Sequence, residues 1–131
     1  MKVLALDYGS ARTGVAVSDP TGTVARPVGV VEGAGSEDGL ARLAELVREH
    51  GAERVVVGQP LTMRGEAGEQ AAATEQFVSR LRETLSVPVE SFDERFTTDL
   101  AEQSGGTHPT DARAAAHLLS SYLTWSSSTR P

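Results

Sequence analysis

The chain has 131 residues, a length that predicts a single domain, and its 39% hydrophobic and 23% charged content is globular rather than disordered or fibrous. No apolar run approaches the ~20 residues of a bilayer span, and the absence of cysteine excludes a disulfide scaffold, a thiol nucleophile and a Cys-ligated zinc site. The net charge of −6 means that a nucleic-acid partner would have to be gripped by a local patch. The first ten residues, MKVLALDYGS, lack the apolar stretch and cleavage site of a secretory signal, so a cytoplasmic protein with no membrane partner is expected. Only Lys2 is lysine; every other basic residue is arginine. That bias suits forked phosphate contacts and equally follows from genomic base composition.

Val3-Leu4-Ala5-Leu6 is a continuous apolar run ending at Asp7, as in a strand buried on both faces. A glycine-bracketed turn, Tyr8 to Gly14, leads to Val15-Ala16-Val17-Ser18, and the short gap predicts an antiparallel hairpin. A third strand, Thr23 to Val31, contains Pro27 and belongs at a sheet edge. Leu40, Leu43, Ala44 and Val47 then recur at helical spacing, with Ser36 as cap and Gly51 as stop. Arg54 to Gly58 reads as a short buried strand, broken by Gln59-Pro60-Leu61. Thr74, Phe77, Val78, Leu81 and Leu85 mark one face of a second helix. Val87 to Phe92 is a fifth strand, closing at Asp93-Glu94. A short helix is expected over Thr97 to Gln103, and a last one from Thr110 to Leu123, before a polar tail. The order β-β-β-α-β-α-β-α-α predicts a mixed five-stranded sheet with helices on its faces.

The acidic residues fall at element ends. Asp7 closes the first strand, Asp93 and Glu94 close the last, and Asp111 opens the last helix on the face of Ala115, Leu118, Leu119 and Tyr122. If the strands are parallel, their carboxyl ends share one edge, where open α/β sheets bind ligands. Carboxylates gathered there repel unless a hard cation sits between them, which suits Mg²⁺ or Mn²⁺ and phosphodiester hydrolysis. Strand alternation sends the adjacent Asp93 and Glu94 to opposite faces; Glu94 is favoured, and the choice stays open. The turn after Asp7 also has the look of a phosphate loop, with Ser10 and Arg12 as donors. Each acid has a plainer role as turn former, solvated loop residue or helix-dipole partner.

These residues resemble the YqgF (RuvX) family of bacterial nucleases, on the ribonuclease H-like fold, over nearly the whole chain. Leu6-Asp7-Tyr8-Gly9 with Arg12, Gly14, Ala16, Val17 and Asp19 is similar to the family's first motif. Val57 to Leu61, followed by Gly65, is similar to its Gly-Leu-Pro segment, with Gln59 where the family usually has Leu. Asp93-Glu94-Arg95-Phe96-Thr97-Thr98 with Ala101 is similar to its Asp-Glu-Arg-x-Thr-Thr motif, and Asp111, Ala114-Ala115 and Tyr122-Leu123 match its closing helix. The resemblance implies an α/β fold with strand order 3-2-1-4-5, strand 2 antiparallel, as one nuclease domain over residues 1–125 with a tail over 126–131. It implies Asp7, Glu94 and Asp111 as catalytic metal ligands for Mg²⁺ or Mn²⁺, with Asp93 as a further candidate; Ser10, Arg12 and Arg95 are the expected contacts to nucleic acid. It also implies 5′-end processing of precursor 16S rRNA or resolution of four-way DNA junctions, the second calling for the paired cuts of a homodimer. Residues 96–110 are shorter than usual and carry no Lys or Arg, where relatives are basic. A non-catalytic RNA-binding module stands as a competing reading, as does a kinase-like ATPase, which would need two such domains.

Overall fold

Leu4, Ala5 and Leu6 are closed to solvent because they lie in the middle of a sheet covered on both sides. The computed structural model describes residues 1–9, 11–59, 69–93 and 110–129, with backbone alone at 69, 70, 93, 110, 111 and 127–129. The strands are β1 (Val3–Asp7), β2 (Arg12–Ser18), β3 (Ala25–Glu32), β4 (Arg54–Gln59) and β5 (Val89–Asp93); the helices are α1 (Glu37–His50), α2 (Glu69–Thr84) and α3 (Thr110–Thr129). The spatial order is β3-β2-β1-β4-β5. β1 pairs antiparallel with β2 and parallel with β4, and β4 pairs parallel with β5. This is the expected mixed sheet. The short helix expected over 97–103 lies outside the described residues.

Alternation along the strands divides the core in two. Leu4, Leu6, Val15, Val55 and Val57 pack with α1 and α2, through Leu40, Leu43, Val47, Phe77, Val78 and Leu81. Val3, Ala5, Ala16, Val56 and Phe92 pack with α3, through Ala115, Leu118, Leu119 and Tyr122. Each fully buried Leu, Val or Phe contributes roughly 1.5–3 kcal/mol, so both helical layers are needed. At the lower end of β4 and β5, Arg54 Nη1 donates to the Tyr122 hydroxyl at 3.0 Å, and that hydroxyl donates to Glu90 Oε2 at 3.2 Å. The pairing ties α3 to both strands where a lone buried hydroxyl would be costly.

Several element ends differ from the sequence expectation: β2 begins at Arg12, inside the expected Tyr8–Gly14 turn, because Arg12, Thr13 and Gly14 already pair with β3, and four others also have a visible reason. β3 starts at Ala25 rather than Thr23 because the Asp19 carboxylate takes the N–H groups of Thr23 (2.7 Å) and Val24 (2.9 Å). β5 starts after Pro88, which has no N–H for the ladder although its carbonyl still accepts from Val55. β4 runs one residue further, since Gln59 pairs with Asp93. α3 continues past Leu123 to Thr129, through the first four residues of the expected tail, because Trp125 packs on Tyr122 and Phe92 with ring centroids 5.9 and 5.7 Å away. Ser36 caps α1 by accepting from Gly39 N–H at 3.1 Å, and Gly51 ends it, as the spacing predicts.

β3 is an edge strand, as Pro27 requires. Its ladder is broken beside that proline: Val15 pairs with Gly29 but Ala16 with Pro27, so Val28 is a bulge.

The Asp19 turn gives a pH prediction. The Thr21 hydroxyl, then the N–H groups of Val24 and Thr23, hold its carboxyl well below the usual carboxylate range. A depressed folded-state pKa contributes stability that is full above the unfolded value of about 3.9 and is lost as pH falls below it. Urea unfolding of the wild type from pH 5 down to pH 2 should therefore show a declining midpoint, and Asp19→Ala should decline less steeply over that window. Parallel curves would remove Asp19 from the acid response.

Candidate functional site

Three strand ends meet at one edge of the sheet. Leu6 is level with Val57 across the β1–β4 pairing, and Val57 with Ser91 across β4–β5. Asp7 is one residue beyond that line and the Asp93 backbone two beyond it, in the same direction. Adjacent strands stand about 4.8 Å apart, which sets β1 and β5 about 10 Å from each other with β4 between. Asp7 is half-buried and pairs with Gly14 of β2. It shares the strand parity of Val3 and Ala5, which face α3.

The start of α3 belongs to the same edge. Leu123 and Thr124 flank the Thr21–Thr23 turn at the opposite end of the sheet, and Tyr122 reaches Arg54 at the beginning of β4. Position 111 is three turns earlier, about 16 Å along the axis at 1.5 Å per residue. That exceeds the roughly 13 Å spanned by a five-residue strand, so the helix begins near the level where β1 ends. Arg12 is at this edge too, two residues before the Gly14 that pairs with Asp7; it is exposed and starts β2 opposite Glu32.

Of the expected site residues, the sheet register places Asp7, Arg12 and the backbone of Asp93 at this edge, and the Asp111 backbone is in the first turn of α3. Ser10, Glu94 and Arg95 lie outside the described residues, as do the side chains of Asp93 and Asp111 and segment 96–109. Among the described residues no group of three His, Cys, Asp or Glu side chains is gathered to hold a metal.

Two features of the edge were not assigned a role from sequence. Gln59, at the end of β4 between Asp7 and Asp93, has a buried Oε1 with no hydrogen-bond partner among the described residues. Tyr8, next to Asp7, stacks on Phe77 of α2 with centroids 4.3 Å apart and an interplanar angle of 19°. Alternation is the signal that could have found the second: it sends Tyr8 to the α2 side when Asp7 faces α3. Nothing in the sequence marks Gln59 as unpaired. The donor chemistry available here, a carboxylate and an amide oxygen without sulfur, fits a hard divalent cation such as Mg²⁺ or Mn²⁺.

The turn after Asp7 is tight. Gly9 N–H donates to Thr13 Oγ1 at 3.4 Å, and a Cβ on Gly9 would lie 2.4 Å from the Arg12 carbonyl oxygen. Only glycine lets the backbone approach so closely.

Comparison with known proteins agrees with this architecture. Residues 1–125 match the family profile of RuvX, described as Holliday junction resolvase. A protein of Chloroflexus aggregans, provisionally named pre-16S rRNA nuclease, is 45% identical over 130 residues, covering 92% of each chain. One of Syntrophomonas wolfei with the same provisional name is 35% identical, covering 94% of each. Among solved structures, RuvC of T. thermophilus in complex with a Holliday junction substrate superposes with a TM-score of 0.68 at 15% identity, over 98% of this chain and 96% of that one. The fowlpox virus resolvase bound to Holliday junction DNA gives 0.57 at 12% identity, over 95% and 98%. At these identities the structural likeness establishes the ribonuclease H-like fold.

Proposed function

Because the chain belongs to the RuvX family of nucleases, we propose that it is a divalent-metal-dependent endonuclease acting on structured nucleic acid, and that its substrate is the 5′ end of precursor 16S rRNA. The observation that carries this reading is the shared edge of β1, β4 and β5, with Asp7 and the Asp93 backbone on it. Asp7, Glu94 and Asp111 are the proposed metal ligands. Glu94 has the sequence parity of Glu90 and Phe92, and Phe92 packs against α3, which favours it over Asp93. A divalent cation bound there would neutralise charge at the scissile phosphate and make water a better nucleophile. The chain's own part is to hold the carboxylates on rigid strand ends and to present Arg12, with Ser10 and Arg95, to flanking phosphates. On an acidic protein such a local grip has to overcome the net field. The proposed setting is the cytoplasm; among the described residues no helix is long and apolar enough to cross a membrane.

A second reading has its own support: the family description names Holliday junction resolvase, and RuvC shares the fold. Symmetric cutting of a four-way junction would require a two-fold homodimer. A side-by-side cleavage assay with Mg²⁺ or Mn²⁺ separates the two. Accurate trimming of a precursor 16S rRNA fragment with an intact four-way DNA junction is the expected result. Cutting of the junction alone transfers the assignment to resolution, and binding of RNA without metal uptake or cleavage of either overturns the nuclease reading for this chain.

A further inference from the structure

We propose that Tyr8 is a positioning residue for Asp7: its ring locks the end of β1 so that the neighbouring carboxylate is held ready for a divalent cation. The inference rests on the reading of Asp7 as a metal ligand.

The contacts of Tyr8 close a ring around the end of β1. One face of its side chain lies on Phe77, in the near-parallel stack that joins β1 to α2. Its hydroxyl end reaches the loop leading into α1, where a Cβ on Gly35 would lie 3.6 Å from Oη. The carbonyl of that same Gly35 accepts from Arg80 Nη1 of α2 at 2.6 Å. Tyr8, half-buried, therefore lies between α2 and a loop that α2 itself fastens. On the far side, the Gly9 backbone lies so close to the Arg12 carbonyl that a Cβ there would be 2.4 Å from its oxygen. Asp7, between these points and paired with Gly14, has little backbone freedom left.

This matters for a metal because ligand distances must be met to within about 0.2 Å. A carboxylate on a frayed strand end would have to be ordered when the ion binds, at an entropic cost that weakens binding. The stack moves that cost to folding. Alternation does the rest: with Tyr8 committed to the α1–α2 side, Asp7 is committed to the α3 side.

The test is Mn²⁺ titration of the full chain, followed by electron paramagnetic resonance at a temperature where every variant is folded. Tyr8→Ala should weaken Mn²⁺ binding about tenfold, the lower range for loss of a group that orients a ligand. Tyr8→Phe keeps the stack and should bind as wild type. Phe77→Leu removes the stack from the α2 side and should weaken binding in the same direction. Val47→Ala, which loosens the same core cluster far from the edge, should leave Mn²⁺ affinity unchanged. Equal affinities in wild type and Tyr8→Ala overturn the positioning role while leaving Asp7 as a ligand. Equal weakening by Tyr8→Ala and Val47→Ala also overturns it, because the effect is then general loosening. A wild type that takes up no Mn²⁺, or takes it up as well after Asp7→Asn, overturns the ligand reading and this inference together.

Discussion

Replacing Asp7 by Asn should lower the cleavage rate by about 10³-fold and leave the protein folded. The substitution keeps the size of the side chain and the backbone pairing of position 7 with Gly14, so the register of β1 has no reason to change. What it removes is the negative charge at the edge where the strand ends meet. Charge stabilisation by a bound divalent ion is worth several kcal/mol in the transition state, and about 4 kcal/mol corresponds to three decades in rate. Single-turnover cleavage at saturating Mn²⁺ would measure the loss, and circular dichroism with urea unfolding would check the fold. A variant that cuts at the wild-type rate would remove Asp7 from the chemistry and with it the main support for a metal centre at this edge.

Gly39→Ala should destabilise the protein by about 3 kcal/mol, although exchanging glycine for alanine inside a helix ordinarily stabilises it by up to ~1 kcal/mol. Gly39 is in the first turn of α1, and a Cβ there would lie 2.0 Å from the Gly33 carbonyl oxygen and 2.6 Å from the Ala34 Cα. The obstruction is backbone. Moreover, the Gly33 carbonyl accepts from both the N–H and the hydroxyl of Ser36, the residue that caps the helix. Moving the loop aside would cost the cap as well. Thermal unfolding should fall by about 10 °C. Gly29→Ala is the contrasting case: a Cβ there meets nothing within 4 Å, and its midpoint should stay near that of the wild type. If both variants unfold together, the close approach at Gly39 is not what holds the α1 entrance.

Much of the fold could be read from local signals, because those signals report burial and backbone chemistry directly. The unbroken apolar run Val3–Leu6 belongs to a doubly covered strand, Ser36 and Gly51 bracket α1, and Pro27 sits on an edge. The errors came where one residue's partner was distant or of the wrong kind for a periodic signal. Thr23 and Val24 look like strand residues until the Asp19 carboxylate is seen to take their N–H groups. The serine-rich end of α3 looks like a tail until Trp125 is seen among the rings of Tyr122 and Phe92. For the site, the meeting of β1, β4 and β5 at one edge followed from topology, so the alignment of Asp7 with the end of β5 at Asp93 was legible. The Tyr8–Phe77 stack was not, since it joins residues 69 positions apart through a helix whose rotation about its axis no short motif reveals. The unpaired Gln59 oxygen was equally hidden, because satisfaction of a polar atom is a property of its surroundings and not of its type.

The bulge at Val28 next to Pro27 has a consequence for how this protein behaves when crowded. Amyloid-like growth from the flank of a sheet needs an uninterrupted row of amide donors onto which each newly arriving molecule can zip. A missing donor at Pro27 and a kink one residue later interrupt that template in the middle of β3. Concentrated solutions of the folded chain should accordingly resist fibril seeding from this flank, and replacing Pro27 with a β-branched residue would be the quickest way to lose that protection.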